Sequence, residues 1–297
     1  MKLRLGTRRS PLALAQANDV ASRLAALEHE VELVPIVSAG DRGLGAEASP
    51  SGLKGLWVAE IVQALRSSEV DLAVHSAKDL PAEDDEGVTL GAVPPRESAL
   101  DVLVTRDGEL RPGAVVGTSS LRRQAQILRW RPDVLLKDLR GNVDTRLRKL
   151  EDGEVDALVL AAAGLLRLGI VPEHAVPMSV AEMIPAPGQG CLGVQARADD
   201  ADTLAALAEL DHLDSRLALE AERSLMRRLG GGCALPLGAF ADVMDRRIRM
   251  VAAVFTPEGA REARTAVAGA EPEEVAEAAE TDLREGGADD ILAAVRP

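Results

Sequence analysis

Short apolar runs alternate with amphipathic segments along the first two-thirds of the chain. Runs rich in Leu, Val and Ile at residues 3–7, 31–37 and 70–76 predict strands. Apolar residues recur three and four positions apart after Pro11, and the pattern returns over about 56–67, so we predict a helix in each place. Strands that alternate with helices of this length are typical of α/β folds.

The pattern is weakly duplicated within the chain. EVDLAVHSAKDL (69–80) is similar to EVDALVLAAAGL (154–165), and GTRRSPLALAQ (6–16) is similar to GTSSLRRQAQ (117–126). Two related α/β lobes would explain both pairs, with a ligand bound in the cleft between them, because ligand-binding turns lie at the carboxyl ends of such strands. The alternative is chance similarity between short apolar strands.

The pattern changes after residue 211. It predicts a helix over about 213–228, a glycine-rich turn, strand-like runs within 235–243, 247–255 and 265–269, and a final acidic helix over about 272–285. These elements indicate a small α+β domain at the C-terminal end. By contrast, residues 38–55 are rich in Gly, Ala and Ser without clear periodicity, and a loop of this length predicts a mobile active-site lid.

Charge is distributed unevenly along the 297 residues. The whole chain has a net charge of −14, yet residues 117–150 (the Arg-rich segment) hold seven Arg and two Lys against three Asp. The segment therefore carries +6 and the rest of the chain −20. Guanidinium groups match carboxylates and phosphates two hydrogen bonds at a time, so the segment predicts a bound polyanion. Nucleic acid is disfavoured by the acidic background and by an aromatic content of only 1%.

Composition and the lengths of the apolar runs indicate where in the cell the protein works and whether it binds a metal. The longest apolar run, Ala157 to Leu166, is too short to span a bilayer, and the apolar part of the N-terminus, Pro11 to Ala15, is too short for a signal peptide. Two Cys residues make no disulfide framework, and no His, Cys and Asp spacing resembles a metal site. We therefore expect a cytoplasmic protein without a metal.

Two motifs of the Arg-rich segment have both a functional and a simpler interpretation. GTSSLRR (117–123) places hydroxyls and guanidiniums at a helix N-terminus, which favours an anion, but simple capping with Arg122 and Arg123 on a solvated face is equally consistent. LRGNVDTR (139–146) places Arg140 and Arg146 around a Gly-Asn turn, where they could flank one ligand. The alternative is a loop with surface arginines.

Two further motifs contain reactive side chains. VHSAKDLP (74–81) sets Lys78 beside Asp79 after a strand, which suits ligand contact or proton transfer or, equally, a local ion pair; His75 is expected to be packed or hydrogen-bonded. LGGGCALPLG (229–238) exposes Cys233 after three glycines. That thiol could be a nucleophile or an attachment point, whereas a lone Cys is more often a small buried apolar residue. Cys191 is expected in the core.

Taken together and in order, these segments resemble the porphobilinogen deaminase (hydroxymethylbilane synthase) family along essentially the whole chain. The similar segments are TRRSPLALAQA, GLKGLW, VHSAKDLP, VGTSSLRRQAQ, LRGNVDTRLRKL, AAAGLLRLG, IPAPGQG and AERSLMRRLGGGCALPLG. The resemblance implies head-to-tail condensation of four porphobilinogen molecules, with loss of ammonia at each step, to give the linear tetrapyrrole hydroxymethylbilane. It also implies a dipyrromethane cofactor joined through a thioether to Cys233.

The resemblance also assigns roles to residues. Asp79 is the expected catalytic residue, because a carboxylate beside the pyrrole N–H groups stabilises positive charge and helps proton transfer. The expected cofactor-binding residues are Ser76, Lys78, Thr118, Ser119, Ser120, Arg122, Arg123 and Arg146. The expected substrate-binding residues are Arg8, Ser10, Arg140, Arg167 and Gln189. Lys54 and Trp57 are expected at the end of the lid, where Trp57 replaces the Phe common in the family and Leu53 replaces a Gly.

The fold implied by the resemblance is two lobes like those of type 2 periplasmic binding proteins plus a small α+β C-terminal domain. The expected division is residues 1–95 with 190–208, residues 96–189, and residues 209–297. We expect a monomer that passes its product to uroporphyrinogen III synthase. The two rival hypotheses are a binding protein without catalysis, disfavoured by Cys233 and the lack of a recognisable signal peptide, and a nucleic-acid binder.

Overall fold

The computed structural model describes residues 1–36, 52–83, 85–231 and 235–295, with only the backbone of residues 52–57. Among these residues the strands are β1 (Lys2–Thr7), β2 (Glu30–Pro35), β3 (Leu72–Ser76), β4 (Val88–Ala92), β5 (Asp101–Thr105), β6 (Val115–Gly117), β7 (Leu135–Lys137), β8 (Ala157–Ala161), β9 (Ala175–Pro177), β10 (Leu192–Arg197), β11 (Leu237–Met244), β12 (Arg247–Phe255) and β13 (Glu262–Gly269). The helices are α1 (Pro11–Ala26), α2 (Gly52–Arg66), α3 (Leu121–Trp130), α4 (Val143–Glu151), α5 (Ala162–Leu168), α6 (Ala201–Ala208), α7 (Leu213–Arg228), α8 (Pro272–Glu285) and α9 (Ala288–Val295).

Two five-stranded sheets have the same topology. Their orders are β2-β1-β3-β10-β4 and β7-β6-β8-β5-β9. In each sheet the first three strands are parallel, and the fourth is antiparallel to both of its neighbours. Strand β1 therefore corresponds to β6, and β3 to β8, which are the strands in the two similar sequence pairs. The predicted duplication is confirmed.

In each lobe, one strand of the sheet follows directly in sequence from a strand of the other lobe. Strand β5 follows β4 of the first lobe but pairs with β8 and β9, and β10 returns from the second lobe to pair with β3 and β4. Two crossovers, residues 93–100 between β4 and β5 and residues 178–191 between β9 and β10, therefore connect the lobes. This architecture confirms the predicted fold class; the boundaries at 95, 190 and 208 stay predictions, which the crossover positions support.

The C-terminal domain is an antiparallel sheet, β11-β12-β13, covered by helices. Its core includes Leu225 and Leu229 at the end of α7, Met250 on β12 and Leu283 on α8, all nearly or fully buried. Helices α7 and α8 have the predicted bounds, whereas α9 was not predicted. Helix α2 begins at Gly52, four residues before the predicted start, and the rest of the predicted lid, 38–51, lies outside the described residues.

A buried ion pair joins both crossovers to the C-terminal domain. Arg96, in the first crossover, donates from Nη1 to Oε1 of Glu222 on α7 over 2.7 Å, and Glu222 is 0% exposed. Glu222 also accepts hydrogen bonds from the backbone N–H groups of Gly188 in the second crossover (2.6 Å) and Ala241 on β11 (2.7 Å). One carboxylate therefore fixes three separate parts of the chain.

We expect Glu222→Gln to lower the free energy of unfolding by about 3 kcal/mol, because breaking a buried ion pair leaves the Arg96 charge uncompensated. Urea denaturation followed by circular dichroism measures the change. The matched control is Glu220→Gln on the same helix, whose carboxylate is 45% exposed and lies 3.6 Å from Arg216. Such surface pairs contribute at most about 1 kcal/mol. Equal destabilisation by the two variants would contradict the role of Glu222.

Candidate active site

The carboxyl end of β3 places Asp79 in a short 3-10 turn, Ala77–Asp79. The turn is packed closely by the second crossover, because a Cβ on Gly188 would lie 2.9 Å from the backbone nitrogen of Lys78. Gly188 has a φ of +74°, so a glycine is needed here both for conformation and for space. The Glu222 carboxylate that binds Gly188 therefore also supports the turn that carries Asp79.

His75, at the end of β3, is a neutral neighbour of this turn. Its side chain is buried, which lowers its pKa to about 4; the charge of Asp79 acts in the opposite direction and that of Arg8 in the same direction. Arg8 follows β1, the strand adjacent to β3. Arg8, His75 and Asp79 therefore lie together at the carboxyl ends of two neighbouring strands, as predicted for a ligand-binding edge.

The second lobe contributes Arg146 to the same region. Arg146, on α4, donates from Nε to the carbonyl of Gly141 over 2.8 Å. Burial lowers its pKa and the nearby charge of Arg123 lowers it further, whereas Asp138 and Asp79 raise it. Asp79 of the first lobe and Arg123 of the second are therefore both electrostatic neighbours of Arg146, and the three residues mark one site between the lobes.

The hydroxyl groups of the GTSSLRR motif organise the start of α3. Ser120 is the N-cap, and its Oγ accepts a hydrogen bond from the backbone N–H of Arg123 over 3.4 Å. Thr118 is buried, and its Oγ1 accepts from the backbone N–H of Ser120 over 3.2 Å. Ser119 is exposed. The capping interpretation of Ser120 is confirmed, and cofactor contact by these three residues stays a prediction.

Arg122 and Arg123 do not lie on a solvated face, so that alternative is wrong. They are 4% and 6% exposed, and both donate to Asp101, at distances of 2.7 Å from Arg122 Nη1 and 2.6 Å from Arg123 Nη2. Burial opposes the ionisation of Asp101, but the charges of Arg122 and Arg123 outweigh it and hold its pKa below the usual range. Contact of these arginines with a cofactor stays a prediction.

Three further predicted substrate-binding residues have hydrogen-bond partners of their own. Arg140 is exposed and donates to Asp138 Oδ2 over 3.2 Å. Arg167 donates to the carbonyl of Gly190 over 2.8 Å. Gln189 is 1% exposed and donates to the carbonyl of Ala99, so its contacts support the second crossover. The structure places Arg140 in a position open to a ligand and gives Gln189 almost no surface for one.

The remaining predicted residues either bond to other parts of the first lobe or lie outside the described residues. Ser10 caps α1 by accepting from the backbone N–H of Ala13, and Ser76 accepts from Gln16 Nε2 over 2.7 Å. Lys78 is half-buried beside Asp79. Cys233 and the side chains of Lys54 and Trp57 lie outside the described residues.

The sequence analysis missed two buried carboxylates, Asp101 and Glu222. Asp101 begins a strand, DVLVT, that is otherwise almost entirely apolar and wholly buried. Glu222 falls on the buried face of α7 together with Ala218, Leu225 and Leu229, at spacings of three or four residues. A charged residue at an apolar position of a strand or helix pattern was the available signal in both cases.

The described residues offer neither a metal site nor a membrane-spanning helix. The described part of the chain contains no group of three or more His, Cys, Asp or Glu side chains arranged to hold a metal ion. None of its helices has the length and apolar character needed to cross a membrane.

The electrostatics suit an organic anion. Burial is the main cause of the lowered pKa of Arg146, and the like charge of Arg123 lowers that pKa further. An acidic ligand would relieve this repulsion, and guanidiniums bind carboxylates through short, charge-assisted hydrogen bonds. Asp79 supplies a single negative charge at the same place. The site can therefore hold an acid-substituted molecule and stabilise a local positive charge on it.

The chain is similar to known proteins along nearly its whole length. The family profile "Porphobilinogen deaminase, dipyromethane cofactor binding domain" matches residues 3–205, and "Porphobilinogen deaminase, C-terminal domain" matches residues 216–285. Curated proteins named porphobilinogen deaminase are 47% identical in Brevibacillus brevis (99% of this chain, 97% of the relative) and 48% identical in Desulforudis audaxviator (98% and 97%). Solved structures include an ancestral cationic amino acid solute-binding protein, 16% identical with a TM-score of 0.42 over 77% of this chain and 91% of the other. The two profiles and the relatives show that the chain belongs to the porphobilinogen deaminase family.

Proposed function

We propose that the protein works as a hydroxymethylbilane synthase, condensing four porphobilinogen molecules head to tail into the linear tetrapyrrole hydroxymethylbilane. The observation that carries the mechanism is the meeting of Asp79 with Arg123 and Arg146 at one site. A carboxylate close to guanidinium groups fits a substrate that carries acidic side chains and becomes cationic during the reaction.

Each condensation balances as follows. A carbon–carbon bond forms between the aminomethyl carbon of one porphobilinogen and the free α-carbon of the terminal pyrrole, and the aminomethyl carbon–nitrogen bond breaks to release ammonia. The α-carbon then loses its proton, so that a carbon–hydrogen and a carbon–nitrogen bond are exchanged for the new carbon–carbon bond and ammonia. After four condensations the final product is released when water gives its hydroxyl to the terminal methylene carbon, the bond from that carbon to the retained α-carbon breaks, and a proton returns to that α-carbon. Asp79 stabilises the positive charge that develops on the pyrrole nitrogen as ammonia departs, and its carboxylate can carry protons at the amine and the α-carbon.

The cationic residues bind and orient the acetate and propionate groups of the pyrroles. The charges of Arg8 and Asp79 both act on His75 in the first lobe, and the charge of Asp79 also acts on Arg146 of the second. We assign Arg8, Ser10, Arg140 and Arg167 to the substrate or growing chain, and Gln189, which is 1% exposed, to the wall of the cleft that supports them. Because two acidic groups enter with each ring, several guanidiniums are needed to balance the accumulating negative charge.

The larger family domain is a dipyrromethane cofactor-binding domain. The guanidinium groups of Arg123 and Arg146 fit such an acid-substituted group. When bound, it supplies the pyrrole α-carbon to which the first porphobilinogen is added. We assign its side chains to Ser76, Lys78, Thr118, Ser119, Ser120, Arg122, Arg123 and Arg146. We further propose attachment through a thioether to Cys233, with Lys54 and Trp57 closing over the site.

The proposal also includes the location, oligomeric state and domain boundaries of the protein and the fate of its product. The protein is proposed to be a cytoplasmic monomer, with residues 1–95 and 190–208, residues 96–189, and residues 209–297 as its three domains. Its product, a linear tetrapyrrole, is proposed to pass to uroporphyrinogen III synthase.

The function is tested by incubating the purified protein with porphobilinogen and measuring substrate, ammonia and products together. We expect one ammonia for each porphobilinogen consumed and a linear tetrapyrrole by mass spectrometry. Protein that binds porphobilinogen stoichiometrically without releasing ammonia would instead support the solute-binding alternative.

A further inference from the structure

The carboxylate of Asp101 is fully enclosed by donors. Asp101 is 0% exposed and begins β5, directly after the first crossover. Its Oδ2 accepts from Arg122 Nη1 over 2.7 Å. Its Oδ1 accepts from Arg123 Nε over 2.9 Å and Nη2 over 2.6 Å, and from Gln189 Nε2 over 3.1 Å. The two arginines are adjacent on α3, yet a single carboxylate holds both.

Backbone carbonyl groups also hold the two guanidinium groups in place. Arg122 Nη1 also donates to the carbonyl of Ile184 over 2.6 Å, and Arg123 Nη1 donates to that of Val159 over 2.9 Å. Each guanidinium is thus held at both the carboxylate and a carbonyl, which leaves it little rotational freedom. The N–H groups not used in these bonds therefore point in fixed directions.

We infer that Asp101 is a positioning residue, which sets the orientation of Arg123 and Arg122 toward the acidic groups bound at the site. The inference rests on the proposed function, since it concerns how that site holds its anions. Asp101 itself is too deeply buried to meet a ligand, so it acts through the arginines. Arg123 is the member of the pair that acts electrostatically on Arg146, and its position matters most.

Charge and position predict opposite effects, which makes the inference testable. Asp101 neutralises part of the positive charge, so a role in charge alone would mean that its removal strengthens anion binding. A positioning role means that its removal weakens anion binding even though the net positive charge increases. A purely structural role would change stability but leave binding by the folded protein unchanged.

Two variants separate these cases. Asp101→Asn keeps the length of the side chain and removes its charge, whereas Asp101→Glu keeps the charge and displaces it by one methylene. We expect both to raise the KM for porphobilinogen about tenfold, the size of effect of one misplaced charged hydrogen bond. We also expect both to lower the fraction of protein carrying the dipyrromethane adduct, measured by intact mass. With rates normalised to that fraction, kcat should change less than KM, because Asp79 is untouched.

The control is Glu262→Gln, which removes a different partner of α3. Glu262 Oε1 accepts from Arg129 Nη2 over 2.8 Å at the edge of the C-terminal sheet. This variant should keep wild-type KM and adduct fraction. Thermal unfolding of all variants shows how much stability each loses.

Each variant of Asp101 is sufficient on its own to test the positioning role. An unchanged KM and adduct fraction in folded Asp101→Glu, or an unchanged or lower KM in Asp101→Asn, would overturn the positioning role. Failure of the proposed function is recognised separately, because the wild-type protein would then not consume porphobilinogen.

Discussion

Replacing Asp79 by alanine is expected to lower the turnover of porphobilinogen by at least about a hundredfold, the lower end of what a positioned acid–base group contributes. Without this carboxylate, Arg8 and Arg146 would face a developing cation with no opposing negative charge, and the cofactor would be poorly retained or inactive. Asp79→Glu should fold normally and still lose most of the rate, because the longer side chain misplaces the charge. Steady-state release of ammonia measures both effects.

The matched control for Asp79 is Asp85→Asn, which changes a nearby carboxylate that is not part of the proposed site. The backbone carbonyl of Asp85 accepts a hydrogen bond from the N–H of Val88, and a change of side chain leaves that bond in place. It should keep at least about half of the wild-type rate. Near-normal turnover by Asp79→Ala would remove the catalytic role from this residue.

The fold was largely predictable because apolar periodicity and duplication were both visible in the sequence. The GT-containing turns after β1 and β6 and the EVD segments before β3 and β8 marked equivalent positions in the two lobes. The exchange of β5 and β10 between lobes was implied only by the family resemblance, through the expected division at 95 and 190. The residues of β10 (192–197) alone are an ordinary apolar run that does not say which sheet it joins. Long-range strand pairing depends on the assembled sheets.

The candidate site was predictable in part for a similar reason. Motifs at strand ends identified Arg8, Asp79 and Arg146, and the structure brings them together. Hydrogen-bond partners distant in the chain were not predictable: Asp101 lies 21 residues from Arg122 and Glu222 lies 126 residues from Arg96. The Arg-rich segment therefore signalled an anion, while the buried Asp101 beneath it could be found only from coordinates.

Replacing Cys233 by serine is expected to abolish the covalent cofactor and, with it, essentially all turnover. A serine hydroxyl is a far weaker nucleophile than a thiol at neutral pH and cannot form a thioether. The denatured wild-type protein should show a mass increment of two pyrrole units that is absent from Cys233→Ser. The denatured Cys233→Ser protein should also give no colour with an acidic aldehyde reagent that detects dipyrroles, whereas the denatured wild-type protein should give colour. A retained increment would place the attachment elsewhere.

The chain provides a matched control in its second cysteine. Cys191 is 1% exposed, and burial raises the pKa of its thiol to about 12, so hardly any thiolate is present at neutral pH. Cys191→Ala should therefore keep the full adduct, with only the modest loss of stability expected when a small buried side chain is shortened. If the increment disappeared in Cys191→Ala and persisted in Cys233→Ser, the buried thiol would be the attachment point, and the glycine-rich loop would have lost its proposed role.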